Sequence, residues 1–85
     1  MRRREQPKTG VVKRSIIVAG HKTSISLEEP FWQGLREIAT MHDRTLSDTV
    51  ARIDSERIGG NLSSAVRIFV FEFYRTGVAR APGRV

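Results

Sequence analysis

The clearest hydrophobic pattern in the chain is a strict alternation over residues 21–27. Every second residue suits a core, whereas the residues between them are short or polar. The two sets are Thr23, Ile25 and Leu27, and Lys22, Ser24 and Ser26. Because successive side chains of a strand point to opposite faces, this pattern predicts a β-strand with one buried face and one polar face.

The segment before this strand also favours extended structure. Residues 15–19 contain three consecutive β-branched residues. Gly20 separates them from the alternating stretch, and an isolated glycine in a strand pattern marks a bulge or a close backbone approach. Residues 15–27 therefore form either one long bent strand or two short strands. The strand at 21–27 has no evident partner strand within its own chain.

A first amphipathic helix is predicted from about Glu29 to Met41. Pro30 suits its first turn, where a missing N–H costs nothing. Gly34 costs roughly 1 kcal/mol relative to alanine inside a helix, so it indicates a close helix contact. The stripe that recurs at helical spacing consists of Phe31, Leu35, Ile38 and His42, and Trp32 and Ala39 widen it.

A second helix begins after Thr45 and ends near Arg57. Thr45 is the predicted N-cap, with Asp48 three residues later as in a capping box. Gly59 and Gly60 stop the helix. Its buried stripe consists of Leu46, Val50 and Ile53.

A third helix is predicted over residues 61–74, capped by Asn61 or Ser63. Its apolar side chains extend round more than one side, which predicts burial against several neighbours and favours a second chain. These side chains are Leu62, Val66, Ile68, Phe69, Val70, Phe71 and Phe73.

Length and charge restrict the classes of protein that fit. Eighty-five residues suit one small domain, and the absence of cysteine rules out disulfides and thiolate metal sites. A net charge of +6 is typical of proteins that meet a polyanion. The predicted organisation is a flexible basic arm at 1–14, a folded domain at 15–77 and a loose tail at 78–85. The arm either follows a phosphate backbone or is a solvated tail.

Catalytic and metal chemistry find little support in the residues. His21 and His42 are the two histidines, and neither has a catalytic partner or further metal ligands at a suitable spacing. We therefore predict no enzyme activity, no metal and no cofactor. No stretch is apolar enough to cross a bilayer, so we expect a cytoplasmic protein with no membrane partner.

Three features together resemble the ribbon-helix-helix family, also called MetJ/Arc-type repressors. They are the strand over residues 22–27, the helix beginning at Pro30, and the next helix opening with residues 44–47. The resemblance covers roughly residues 20–58. The longer pattern, which includes residues 61–67, is similar to a bacterial subgroup of small ribbon-helix-helix proteins with an added helix.

The resemblance implies a mainly helical homodimer with one short strand in each chain. The strands of two copies would pair into an intermolecular antiparallel ribbon, with the third helix as an addition. The shared core would consist of Thr23, Ile25, Leu27, Phe31, Leu35, Ile38, Leu46, Val50 and Ile53.

The resemblance also implies sequence-specific binding of double-stranded DNA by a nucleoid-associated transcriptional repressor. Lys22, Ser24 and Ser26 would contact bases in the major groove. The phosphate contacts would come from the start of the second helix and from the basic arm. They are Arg44, Thr45, Leu46, Ser47, Lys13 and Arg14.

Three questions stay open at the level of sequence. Ser63, Ser64 and Arg67 form either a second anion site or a helix cap with packing residues. Residues 15–19 either extend the ribbon or fold back over it as a hairpin, which would cover the base-reading residues. The alternative function is a dimeric adaptor or antitoxin-like module that binds a protein partner through the third helix.

Overall fold

The computed structural model describes residues 10–76 of the chain. Two strands, β1 (Val11–Val18) and β2 (His21–Glu28), precede three helices, α1 (Glu29–Met41), α2 (Leu46–Glu56) and α3 (Leu62–Thr76). The strands form a two-stranded antiparallel sheet. The three predicted helices are therefore confirmed, with α3 two residues longer at its C-terminal end.

The N-terminal boundary differs from the predicted one. β1 begins at Val11, so the last four residues of the predicted arm belong to the sheet. Residues 1–9 of the arm and the predicted tail at 78–85 lie outside the described residues.

The prediction of one strand per chain, without a partner in that chain, is wrong. β2 pairs with β1 in a hairpin whose register runs from Val11 opposite Glu28 to Val18 opposite His21. Ala19 and Gly20 form the two-residue turn, with φ angles of 51° and 84°. Positive φ at both positions is the feature of type I′ turns, whose twist matches that of the flanking strands. Of the two interpretations left open, two short strands is the correct one.

The turn gives a first testable prediction. Ala19→Asn should stabilise the domain by about 0.5–1 kcal/mol, because alanine is strained at positive φ and Asn-Gly is a preferred type I′ pair. Gly20→Ala is the matched control and should destabilise it by about 1–2 kcal/mol, since its φ is also positive. Urea denaturation measures both changes. Equal stability of the two variants would contradict the assigned turn.

The hydrophobic core lies between the inner face of the hairpin and the three helices. Ile25, Leu27, Leu35, Ile38, Val50 and Ile53 from the predicted core are buried, whereas Thr23, Phe31 and Leu46 are partly buried. The hairpin adds Ile16 and Val18 to this core, α1 adds Trp32, and α3 adds Val66, Val70 and Phe73. Full burial of one such side chain contributes about 1.5–3 kcal/mol. These contacts all form within one chain.

Gly34 lies where α1 and α3 approach each other, as the sequence indicated. A Cβ atom at this position would lie 2.8 Å from Cγ1 of Val70 and 3.3 Å from Cε2 of Tyr74. Val70 is a short β-branched side chain in the core, so it can move little. The missing side chain of Gly34 therefore sets the distance between the two helices.

Gly34→Ala should destabilise the domain by up to about 2 kcal/mol. The gain in helix propensity, about 1 kcal/mol, is smaller than the cost of forcing a packed interface apart, about 1–3 kcal/mol. Adding Val70→Ala to Gly34→Ala should cost less than Val70→Ala costs the wild type, because the new methyl group occupies the vacated space. Chemical denaturation of the three variants gives this coupling, and strictly additive effects would refute the close contact.

Candidate nucleic-acid interface

The outer face of the hairpin, away from the core, carries three cross-strand pairs. They are Lys13 opposite Ser26, Ser15 opposite Ser24, and Ile17 opposite Lys22. We call these six residues the outer face. Five of them are exposed, and Ser26 is partly buried. The hairpin does not cover the predicted base-reading residues, because β1 pairs with the edge of β2 and leaves its face open.

The cross-strand pairs of the outer face are non-hydrogen-bonded pairs, in which opposed side chains lie close together. The Ser26 N–H donates to Oγ of Ser63 in α3, at 3.0 Å, and not across the hairpin. Ser26 therefore belongs to a non-hydrogen-bonded pair, and by alternation so do Ser24 and Lys22. Opposed Cα atoms in such pairs are about 4.5 Å apart. Lys13 and Lys22 lie four residues apart along the ribbon, which corresponds to about 13 Å.

The start of α2 forms the second part of the candidate interface. Thr45 is the N-cap, and its Oγ1 accepts a hydrogen bond of 2.9 Å from the Asp48 N–H. The N–H groups of Leu46 and Ser47 precede the first intrahelical donors, so they are free for a ligand at the positive end of the helix dipole. Arg44 is exposed immediately before the cap.

Cations in the described residues divide into two groups. Six arginines pair with carboxylates: Arg14, Arg36, Arg52, Arg57, Arg67 and Arg75. Lys13, Lys22 and Arg44 form no ion pair with any residue from 10 to 76. All three are exposed, and all three are predicted DNA contacts.

Comparison with known families identifies the fold. A model of the ribbon-helix-helix domain family matches residues 11–74, which include both strands and nearly all of α3. The chain belongs to the ribbon-helix-helix family. Members of this family generally bind DNA as transcription regulators.

A solved structure supports the same architecture for this ribbon-helix-helix domain. The chain is similar to an uncharacterized protein from Bordetella pertussis Tohama I, with 26% sequence identity and a TM-score of 0.75. The alignment covers 95% of this chain and 70% of that chain. A search of curated proteins finds no match.

In this ribbon-helix-helix domain, Arg14 does not lie with the other predicted phosphate contacts. Adjacent strand residues point to opposite faces, so Arg14 points to the inner side when Lys13 points outward. Its guanidinium pairs with Glu29 at 3.1 Å and lies 5.4 Å from the centroid of the Trp32 ring. Arg14 therefore covers the edge of the core.

Ser63, Ser64 and Arg67, the second candidate anion site at the start of α3, form hydrogen bonds within the chain, as expected for a helix cap with packing residues. Asn61 is the cap, since its Oδ1 accepts a 2.8 Å hydrogen bond from the Ser64 N–H. Ser63 holds β2 through the Ser26 N–H, and Nε of Arg67 donates to Glu28 at 3.1 Å. The backbone N–H of Glu28 lowers the pKa of that carboxyl, and Arg67 lowers it further. These contacts tie the first two turns of α3 to the end of β2.

Ser15 and Ile17 are outer-face residues that the sequence pattern did not reveal. Residues 11–18 do not alternate cleanly, because charged Arg14 faces inward and apolar Ile17 faces outward. The one signal that points to them is the two-residue Ala19-Gly20 spacing between two β-prone segments, which is the length of a hairpin turn.

The two histidines lie in different environments. His21 is exposed beside the hairpin turn, and the ring of His42 meets the Phe73 ring edge-on at 5.8 Å. Residues 10–76 contain no group of three or more side chains arranged to bind a metal ion. Within that same part of the chain, no helix has the length and apolar character needed to cross a membrane.

Proposed function

We propose that this protein is a sequence-specific DNA-binding repressor that acts as a homodimer in the cytoplasm, on the nucleoid. The observation that carries the proposal is the distribution of cations. Every arginine of the described residues outside the candidate interface forms an ion pair with a carboxylate, Arg14 and Arg36 sharing Glu29, whereas Lys13, Lys22 and Arg44 form none. Positive charge without an internal partner is available for DNA.

The outer face suits the major groove in size and chemistry. A two-stranded ribbon fits this groove. Lys22 would donate to O6 or N7 of guanine, and the hydroxyl groups of Ser24 and Ser26 would donate to or accept from base edges. Lysine and serine differ here, since serine accepts several bases and lysine favours guanine. Lys22 is therefore the proposed source of most discrimination.

The start of α2 would bind phosphate and orient the ribbon. The free N–H groups of Leu46 and Ser47 supply directed donors, and Arg44 supplies charge. Lys13 would add a further phosphate contact from β1. Such contacts set affinity and register on the duplex but carry no sequence information themselves.

Pairing with a second copy is supported by the free edge of β2. Alternate residues of β2 direct their N–H and C=O groups away from β1. Lys22 and Ser24 therefore do so as well as Ser26. Ser63 satisfies the Ser26 end of this edge, which leaves the end near the hairpin turn. An open strand edge is a template for contact with another chain, so a second copy would dock at this end while each hairpin stays a two-stranded ribbon.

The first experiment measures mass in solution and duplex affinity across a salt series. The proposal expects a dimer whose binding weakens as salt rises, because phosphate contacts release counterions. It also expects one duplex sequence, selected from a random pool, to bind more tightly than bulk DNA. A protein that binds no duplex at any salt concentration would refute the proposal.

Arg44→Ala should lower affinity for selected and random duplexes by the same factor. The slope of log affinity against log salt should become shallower by about 0.9 for each phosphate that is no longer neutralised, or about 1.8 for a dimer. Arg52→Ala, within α2, is the matched control, since Arg52 is exposed but pairs with Glu56. Equal slopes for the two variants would contradict phosphate binding by Arg44.

An adaptor that binds protein through α3 is the second candidate. It is favoured by the exposure of Ile68 and Phe71, at 60% and 55%, on the outer side of α3. Phe71 also lines a groove of about 520 Å³ between α1 and α3. A dimer without affinity for DNA would favour this function over repression.

A further inference from the structure

Ile17 is an apolar residue in the middle of a polar surface. Its side chain is 54% exposed, whereas its neighbours Ile16 and Val18 are 8% and 3% exposed in the core. On the outer face it lies opposite Lys22 and two residues from Ser15. Ile17 therefore contributes nothing to the core of the chain and presents a branched hydrocarbon group beside a free cation.

The major groove offers one strongly apolar group to such a side chain. The C5 methyl of thymine projects from the base edge there, whereas the other readable groups are hydrogen-bond donors and acceptors. We propose that Ile17 contacts a thymine methyl and thereby selects thymine at one position in each half-site of the bound duplex. This inference rests on the proposed function, because it requires the outer face to enter the major groove.

The register also relates this thymine to a neighbouring base. Ile17 and Lys22 form a directly opposed pair, whose Cβ atoms are about 4.5–5.5 Å apart. Successive base pairs are separated by about 3.4 Å along the duplex. A guanine bound by Lys22 and the thymine contacted by Ile17 therefore lie within about two base steps of each other.

The experiment replaces thymine by deoxyuridine, which lacks only the C5 methyl group. A preferred duplex is first selected from a random pool with the wild-type protein. Each thymine is then replaced singly, and affinity is measured at one salt concentration. Replacement of the contacted thymine in either half-site should weaken wild-type binding about three- to fivefold, the value expected for one methyl group removed from an apolar contact.

Ile17→Ser should bind the thymine and deoxyuridine duplexes equally. Ile17→Val should keep most of the difference, and it preserves the branched strand residue. Val11→Ser is the matched control, because Val11 is 58% exposed on the same side of β1 but lies opposite Glu28. Val11→Ser should bind the deoxyuridine duplex more weakly than the thymine duplex by the same factor as the wild type.

The outcomes separate this inference from the proposed function. If no deoxyuridine replacement weakens wild-type binding to the selected duplex, the thymine contact is refuted while sequence-specific binding stands. If Ile17→Ser keeps the loss of affinity, another residue makes the contact and the assignment to Ile17 is overturned. If the wild type selects no duplex, the proposed function fails first and this inference fails with it.

Discussion

Lys22→Ala removes two lysines from each dimer and should lower affinity for the selected duplex by about thirtyfold or more. A lysine or arginine that contacts guanine contributes about 1–3 kcal/mol of discrimination, and each 1.4 kcal/mol is about tenfold in affinity. Affinity for random DNA should fall by less than about threefold, because Lys22 is proposed to contact a base and not the backbone. Competition between the two duplexes measures this ratio directly.

Arg36→Ala is the control for the change in net charge. Arg36 is exposed and pairs with Glu29 at 3.3 Å, so its loss removes one positive charge from a site outside the outer face. It should leave the preference for the selected duplex unchanged. Should Lys22→Ala weaken selected and random binding by the same factor, base reading by the ribbon would be wrong.

Trp32→Ala should destabilise the domain by about 3–5 kcal/mol, the range for removing a buried aromatic side chain. Trp32 is fully buried, and its Nε1–H donates to the Val12 carbonyl oxygen at 2.9 Å. It joins α1 to β1, the strand that completes the hairpin. For a domain of this length, such a loss lowers the Tm by about 12 °C or more, and it removes a large part of a stability of about 5–15 kcal/mol.

Trp32→Phe separates the volume of the side chain from its hydrogen bond. Phenylalanine keeps an aromatic ring but cannot donate to Val12, so we expect a loss of about 1–2 kcal/mol. Far-UV circular dichroism must follow unfolding, since Trp32 is the single tryptophan of the sequence. A Trp32→Ala variant within about 1 kcal/mol of the wild type would contradict its place in the core.

The helices follow closely from local sequence. Pro30 and Thr45 mark helix starts whose chemistry is local, because a missing N–H or a capping hydroxyl acts within one turn. The predicted Thr45 cap is present, with its Oγ1 accepting a hydrogen bond from the Asp48 backbone N–H. The contact at Gly34 also follows from sequence, since a glycine that lowers helix propensity indicates a compensating close approach.

The sequence predicted only the second half of β1, from residue 15 onward. Its inward side includes Arg14, which is compatible with a core edge only because Glu29 and the Trp32 ring receive the guanidinium. Its turn begins with Ala19 at a φ of 51°. Alanine rarely adopts positive φ, so the sequence does not predict this conformation. Both features depend on contacts between distant residues, so alternation alone could not show the strand.

Part of the candidate interface also follows from local sequence, and part depends on the hairpin. Alternation placed Lys22 and Ser24 on one exposed face, and that placement depends only on the two-residue period of a strand. Alternation could not show that Ser15 and Ile17 join them, because this requires the register of the hairpin. It also could not show which cations have partners, since Arg14 and Lys13 are neighbours in sequence but, within residues 10–76, only Arg14 reaches a carboxylate.

The sequence by itself determined the three helices, the two faces of β2 and the family to which they belong, because periodicity and capping act over a few residues. Only the tertiary structure decided that β2 finds a partner strand in its own chain and that Ser63 and Arg67 hold the end of that strand. It also decided which three cations of the described residues stay free. These features depend on distances between residues far apart in sequence, which the packing of the hairpin against the helices sets.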